Sequence, residues 1–261
     1  MFRSLATAAS GMEAQQTRLD VTANNIANVS TNGFKKGRAE FADLMYQTVR
    51  SAGSATGNGT SAPDATEIGM GTRLTATTRE LGQGELHQTG NPLDVAIEGN
   101  GYLPVTTPNG ETAYTRNGAL HMSAEGRLVT SEGYPIAGDI TIPSDAQTVT
   151  IGSDGTVSAT MPGESQPVEL GQIQIAMFAN PGGLAAHGGT LFRETSASGS
   201  AVIGAPGDGG AGTIRQGMLE VSNVNVVEEM IDLISGQRAY EINSRVIRAA
   251  DEMLGQTAQL R

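Results

Sequence analysis

Side chains that could perform catalysis or hold a metal are few in this sequence and lie far apart. The three histidines are His87, His121 and His187, and no H-E-x-x-H zinc motif includes them. The chain has no Cys, which excludes disulfides, thiol catalysis and cysteine metal sites. It also lacks a P-loop and a G-x-S-x-G nucleophile elbow. We therefore expect no catalysis, cofactor or metal, although a hydrolase with paired carboxylates stays open, since 27 acidic residues allow many pairs.

Amides are the more unusual polar side chains of this sequence. Asn24, Asn25 and Asn28 fall in the last turns of a predicted helix, within the stretch ANNIANVSTNGFKKGRAEF at 23–41. Asparagine is a poor helix former because its amide competes with the backbone for hydrogen bonds. Amides can also donate and accept hydrogen bonds between packed chains without the desolvation penalty of a charge.

The residues after these asparagines predict how the helix ends. Gly33 offers the left-handed conformation that ends many helices, and Phe34 can then fold back on Val29. Lys35 and Lys36 would lie beyond the carbonyl end of the helix, where positive charge is favourable. An ordinary helix stop with no role in assembly fits the same pattern.

Both ends of the chain predict long helices with a seven-residue apolar period. The N-terminal repeat falls on Leu5, Met12, Leu19 and Ile26. The C-terminal repeat falls on Val226, Leu233, Tyr240, Ile247 and Leu254, with Tyr240 expected on the buried seam. Neither end contains proline, and each helix could run for about 25 to 35 residues. Two such helices most simply pair as a coiled coil.

Between the ends, the pattern changes to short strands and turns. The stretch TVTIGSDGTVSAT at 148–160 predicts two strands around a Ser-Asp-Gly turn, and Asn109-Gly110 marks another hairpin. Apolar residues alternate at 168–178, which is typical of a half-buried strand. The middle of the chain is therefore predicted to be an antiparallel β domain.

Together these patterns predict an α+β protein with three regions. Residues 1–33 and 222–261 form a discontinuous helical core domain, and 80–221 form an outer β-rich domain. Residues 34–79 connect them and include an extended loop at 50–71. The loop runs from Arg50 to Gly71, is rich in small and polar residues, and contains Pro63.

Charge separates the middle of the chain from its ends. The net charge is −11; residues 80–214 carry 3 basic and 14 acidic side chains, whereas residues 1–79 carry 8 basic and 6 acidic ones. An acidic middle suits a solvated outer surface and argues against nucleic-acid binding. No apolar run is long enough for a membrane span or a secretory signal, so we expect a soluble protein, cytoplasmic or exported without a cleaved signal.

Four stretches resemble the flagellar axial proteins, the rod and hook family. They begin with GMEAQQTRLD at 11–47, GELHQTGNPLD at 84–105, AYTRNGALHM at 113–136 and SNVNVVEEM at 222–254. Within that family the nearest match is the distal-rod subunit, because 50–71 sits where that subunit has a segment between helix and β domain. The chain is too short for the additional outer domain of a hook subunit.

The resemblance implies a structural subunit that assembles into a hollow helical tube, the drive shaft that transmits torque to the hook. It implies paired end helices along the inner channel, β domains outside, and the 50–71 loop lying across a neighbouring copy. It also implies proximal-rod and hook proteins, the basal-body rings and the type III export apparatus as partners. The implied location is the rod in the periplasm, reaching the outer membrane, after export without a cleaved signal peptide. A proximal-rod or hook subunit, and a secreted glycan-binding or glycan-cleaving β domain, are the alternatives.

Overall fold

The computed structural model describes residues 2–57, 60–138, 140–163 and 166–259. Across these ranges there are two long helices, one 3₁₀ turn at Pro181–Gly183 and many short strands. The strand pairs with a defined register are antiparallel, which confirms the α+β prediction. None of the helices in these ranges has the length and hydropathy of a transmembrane span.

The chain divides into two compact units. The helical unit contains Met1–Ala27, Gly37–Thr78 and Asn225–Arg261, and the β unit contains Asn28–Lys36 and Arg79–Val224. The nine residues after the first helix thus belong to the β unit, although the sequence suggests a simple exit from the helix.

The helical unit contains both helices and the first six strands. Its elements are α1 (Phe2–Ala27), β1 (Gly37–Asp43), β2 (Tyr46–Arg50), β3 (Ala55–Gly57), β4 (Thr60–Ser61), β5 (Thr66–Gly69), β6 (Thr72–Arg79, whose last residue is in the β unit) and α2 (Val226–Gln259). Helix α2 starts where Asn225 caps it, since the Asn225 Oδ1 atom accepts a hydrogen bond from the Val227 amide at 3.1 Å. Glu228 and Glu229 in its first turn complement the helix dipole.

The segment at 50–71 is not the extended loop that the sequence predicts. Strands β2 and β5 pair from Tyr46↔Gly69 to Arg50↔Thr66, and β3 pairs with β4 beyond them. The loop prediction weighed the small residues and missed the β-branched and aromatic residues that flank them, which favour a pleated hairpin. Residues 58 and 59 lie outside the described ranges.

The β unit consists of short strands around one apolar core. Its strands are β7 (Leu86–Gln88), β8 (Val95–Glu98), β9 (Leu103–Thr106), β10 (Thr112–Thr115), β11 (Leu120–Met122), β12 (Leu128–Thr130), β13 (Thr148–Ile151), β14 (Thr156–Thr160), β15 (Val168–Gln172), β16 (Ile175–Met177), β17 (Ala185–Gly188), β18 (Leu191–Arg193), β19 (Val202–Gly204), β20 (Thr213–Gln216) and β21 (Met218–Glu220). The first two strands pair with the last two, β7 with β21 and β8 with β20, so that the end of the unit closes onto its beginning. Ile97 and Ile214 meet in this closure and are fully buried in the core.

Candidate functional site

The contact between α1 and α2 is made mostly by small and polar residues. On α2, Glu229, Gly236, Asn243 and Ala250 repeat every seven positions and therefore share one face. A methyl group at Gly236 would lie 2.9 Å from Leu19 Cδ2, so the Leu19 side chain packs directly on the α2 backbone there. Along this face, α2 therefore presents small and polar side chains to α1.

Asn25 is the most completely bonded side chain of this interface. Its Oδ1 atom accepts a hydrogen bond from the Gly37 amide at 2.8 Å, and its Nδ2 atom donates to the Gly37 carbonyl at 2.9 Å. The same Nδ2 atom donates to Glu229 Oε2 at 3.1 Å. Asn25 is 2% exposed and Glu229 6% exposed. One amide therefore joins the end of α1, the start of β1 and the first turn of α2.

A stripe of large apolar side chains on α2 is exposed in the single chain. These side chains are 44% to 65% exposed and recur at helical spacing: Val227, Met230, Ile231, Ile234, Ile242, Val246 and Met253. We call these seven residues the α2 stripe. Exposed apolar side chains that share one helix face are typical of surfaces that bind another protein.

The residues of the predicted seven-residue seam lie on or beside the face where the helices meet. Half-buried in the single chain are Leu5, Met12, Leu19, Ile26, Leu233 and Ile247. Val226 and Tyr240 are more open, at 38% and 42% exposed. Leu254 lies in α2, and its side chain is outside the described part of the structure. Their role in contacts between subunits stays a prediction.

The other residues of the N-terminal motif have different surroundings from one another. Asn24 is exposed, whereas Asn28 is half-buried and accepts a hydrogen bond from the Thr31 hydroxyl. Gly33 has the expected left-handed backbone, with φ of +70°, but α1 already ends at Ala27. Gly33 is therefore not the helix stop.

Gly33 is needed for a close contact within the β unit. Its amide donates to the Glu220 carbonyl at 2.8 Å, and a methyl group there would lie 2.7 Å from the Arg116 carbonyl carbon. The half-buried Phe34 donates its amide to the Thr31 carbonyl. The structure thus places Gly33 and Phe34 in a turn against the β unit.

The hairpin of β2 to β5 carries the residues predicted to contact a neighbouring copy. Arg50 and Pro63 are exposed. Gly71 has φ of +111°, and a methyl group there would lie within 2.2 Å of Ser10 Oγ, so the base of the hairpin packs on α1. Exposed apolar side chains also lie along it, including Met45 and Val49 at 86% and 60%.

A buried ion triad in the β unit is absent from the sequence predictions. Lys35 and Arg116 both bond to Glu220: the Lys35 ammonium to Oε1, and Arg116 Nε to Oε2 at 2.9 Å. The side chains are 2%, 6% and 0% exposed, respectively. Burial lowers the pKa of Lys35, while the hydrogen bond to Glu220 opposes that shift. The available signal was a lone charge inside each of two otherwise apolar strand patterns, GMLEVS and AYTRNG.

Further hydrogen bonds join three of the four chain ends of the β unit. The Lys36 amide donates to Asn223 Oδ1 at 2.8 Å, and Asn223 Nδ2 donates to the Glu80 carbonyl at 2.8 Å. The Glu80 amide in turn donates to the Lys36 carbonyl at 2.9 Å. These bonds fix the ends of Asn28–Lys36 and Arg79–Val224 to one another.

In the part of the chain that the structure describes, no group of three or more His, Cys, Asp or Glu side chains could hold a metal ion. One histidine, His121, has a side-chain contact with Ser131 Oγ at 3.3 Å on an exposed hairpin. The features that stand out among the described residues are the exposed α2 stripe and the buried ion pairs of Glu220.

Three segments of the chain match families of flagellar proteins. Residues 5–35 match the family described as flagella basal body rod protein, and residues 215–260 match the C-terminal domain of the flagellar basal body rod FlgEFG proteins. Residues 96–159 match the D1 domain of the flagellar hook protein FlgE/F/G family. The matched segments cover most of α1, all of α2 and part of the β unit.

Several relatives that align along nearly the full chain are flagellar basal-body rod proteins. The flagellar basal-body rod protein FlgG of Caulobacter vibrioides is 48% identical over 261 residues, covering 100% of both chains. FlgG of Borreliella burgdorferi is 48% identical over 257 residues, covering 98% of this chain and 97% of its own. FlgG of Bacillus subtilis is 42% identical over 266 residues and 100% of both chains. These likenesses confirm the predicted resemblance and do not favour a glycan-binding β domain, so the chain belongs to the flagellar basal-body rod protein family.

Proposed function

We propose that this chain is a structural, non-catalytic subunit that polymerises into the distal rod of the bacterial flagellum, a hollow helical shaft that transmits torque to the hook. The observation that carries this proposal is the α2 stripe. The seven apolar side chains of the α2 stripe are not buried against α1 in the single chain. They are therefore available to contact another copy. Full burial of such a side chain is worth about 1.5–3 kcal/mol, so a few of them can stabilise a subunit contact.

The distribution of charge supports an orientation of the subunit in the tube. The helical unit carries 9 basic and 12 acidic residues, and the β unit carries 7 basic and 15 acidic residues. Copies of the nearly neutral helical unit can pack closely, whereas the acidic β units repel each other and favour an exposed position. This supports helices along the channel and β units on the outside.

The finer assignments go beyond what the names of the relatives print. Because the relatives are basal-body rod proteins, we place the chain in the basal body, as a rod that crosses the periplasm and reaches the outer membrane. Its partners in this proposal are other copies of itself, the proximal-rod and hook proteins, and the surrounding rings. Delivery is through the flagellar type III export apparatus, without a cleaved signal peptide.

A charge on the α2 stripe tests the proposal. We expect Ile242→Asp to leave the free energy of unfolding of the isolated chain within about 0.5 kcal/mol of wild type, because this side chain is 60% exposed. The same change should prevent rod assembly, scored by electron microscopy of basal bodies from a strain that carries the variant.

The matched control is Asn109→Asp, which adds the same charge at an exposed turn of the β unit, outside α2. It should assemble normally. Normal rods with Ile242→Asp would exclude the stripe as the assembly surface.

A further inference from the structure

The ion triad contains one positive charge more than it can neutralise. Lys35 and Arg116 share the single carboxylate of Glu220, and all three side chains are at least 94% buried. Within the described residues, Glu220 is the acid that bonds to either cation. Buried charges are stable when they are fully paired, so this arrangement favours the approach of a further anion.

Both cations keep hydrogen-bonding capacity for such an anion. The Lys35 ammonium has three donors, and two are used, by Glu220 and by the Gly82 carbonyl at 2.7 Å. Arg116 Nη1 donates to the Gly99 and Gly101 carbonyls, at 2.9 and 2.7 Å. Arg116 Nη2 has only a long contact of 3.5 Å, to the Ile97 carbonyl.

A cavity of about 290 Å³ opens beside these two cations. Lys35 and Arg116 line one wall, and Tyr102, Phe178, Met177 and Leu81 supply aromatic and apolar surface. Its volume is at the lower end of the roughly 300–1,000 Å³ of small-molecule sites. A ligand that matches this lining has a carboxylate on a short apolar stem.

The charge of the whole β unit indicates where such a carboxylate comes from. The unit has 7 basic and 15 acidic residues, so a second copy presents many carboxylates and is repelled by most of this surface. The cavity is a cationic site within that acidic surface, and it would convert repulsion into attraction at one defined point.

We propose that this cavity is a binding site for a side-chain carboxylate of a second copy of the chain. The inference rests on the proposed function, since it needs copies in contact. The site would fix the position of neighbouring β units, independently of the α2 stripe.

Binding of a small probe tests the chemistry of the cavity without assembly. Phenylacetate is titrated into the full-length chain and followed by NMR signals of Arg116 and Tyr102, with phenethylamine as the probe of opposite charge. We expect saturable shifts with phenylacetate and none with phenethylamine. Equal binding of the amine, or no saturable binding of the acid, would overturn the proposal.

Two variants and a control locate the probe. Lys35→Met removes the excess charge and leaves a neutral Arg116–Glu220 pair, and Met177→Trp fills the cavity without touching the ions. Each should weaken phenylacetate binding at least tenfold. Lys36→Met removes the neighbouring charge outside the cavity and should leave binding unchanged. Equal affinities in all four proteins would contradict the site.

Cross-linking in cells identifies the occupant. A photoreactive benzoylphenylalanine is placed at the exposed Asn100 on the rim, where it leaves the cavity open. A product of twice the 26.9 kDa chain mass is expected from assembled rods. A cross-link to a different protein, or none in rods that assemble normally, would overturn the assignment to a second copy and leave the rod function intact.

Discussion

At the scale of single residues, two buried polar groups organise this protein. The asparagine-rich end of α1 suggests hydrogen bonds between subunits, yet the structure uses Asn25 inside one chain, bonded to Gly37 and Glu229. Asn24 is exposed and stays a candidate for contacts between subunits. In the β unit, Glu220 joins the segment that leaves α1 to the segment that enters α2.

Replacing Asn25 should destabilise the helical unit. Asn25→Ala removes both bonds to the Gly37 backbone and leaves the Glu229 carboxylate buried without this donor, so we expect a loss of about 2–4 kcal/mol. Urea unfolding of the full-length chain measures it. Asn24→Ala is the control, with an expected change under about 0.5 kcal/mol. Equal effects of the two would show that the buried network adds no stability.

Replacing Glu220 should be more damaging than replacing a surface acid. Glu220→Gln leaves Lys35 and Arg116 buried without a carboxylate and should reduce stability by about 3–5 kcal/mol. The control is Glu98→Gln, because Glu98 pairs with Arg215 at 2.7 Å with both side chains about half exposed. That change should alter stability by less than about 1 kcal/mol. Thermal unfolding of both variants measures the two changes. A similar small loss of stability in each would show that the triad contributes little to the stability of the β unit.

At the scale of elements, α2 has two faces with different roles. The face that repeats at Glu229, Gly236 and Asn243 packs on α1, and the α2 stripe faces away from it. The second element of interest is the hairpin of β2 and β5, which exposes residues on both of its sides. Both elements therefore present surface that the single chain does not bury.

A substitution at Tyr240 should affect assembly of the rod but not the stability of the isolated chain. Because Tyr240 is 42% exposed, we expect Tyr240→Asp to change the free energy of unfolding of the isolated chain by less than about 1 kcal/mol. Motility should nevertheless be lost, since every subunit of the rod repeats the buried charge. Leu233→Asp, at a half-buried position, should instead destabilise the isolated chain by several kcal/mol. Swarming on soft agar and urea unfolding are the measurements, and normal motility with Tyr240→Asp would place the residue outside the subunit contact.

At the scale of the whole molecule, the chain passes repeatedly between its two units. It leaves the helical unit after Ala27, returns at Gly37, leaves again at Arg79 and returns at Asn225. The bonds among Lys36, Glu80 and Asn223 tie three of these four passages together within the β unit.

The hairpin should brace the assembled shaft. Deleting residues 52–65 removes β3, β4 and the turn but keeps β2 and β5, so we expect a chain that folds and assembles. A rod braced less between neighbours should then curve or stop short in electron micrographs. A rod as straight and as long as wild type would exclude bracing by the hairpin.

The sequence by itself determined the fold class, the two long helices and the antiparallel middle, because helical and strand periodicities are local properties of the chain. It also determined the left-handed conformation of Gly33, which follows from glycine's freedom at positive φ. Only the tertiary structure decided which partners these elements take. The α1–α2 contact includes the Glu229, Gly236 and Asn243 face of α2, where Leu19 packs directly on Gly236, while the α2 stripe stays exposed in the single chain. The triad joins residues 35, 116 and 220, and a pairing across nearly the whole chain leaves no periodic trace in the sequence.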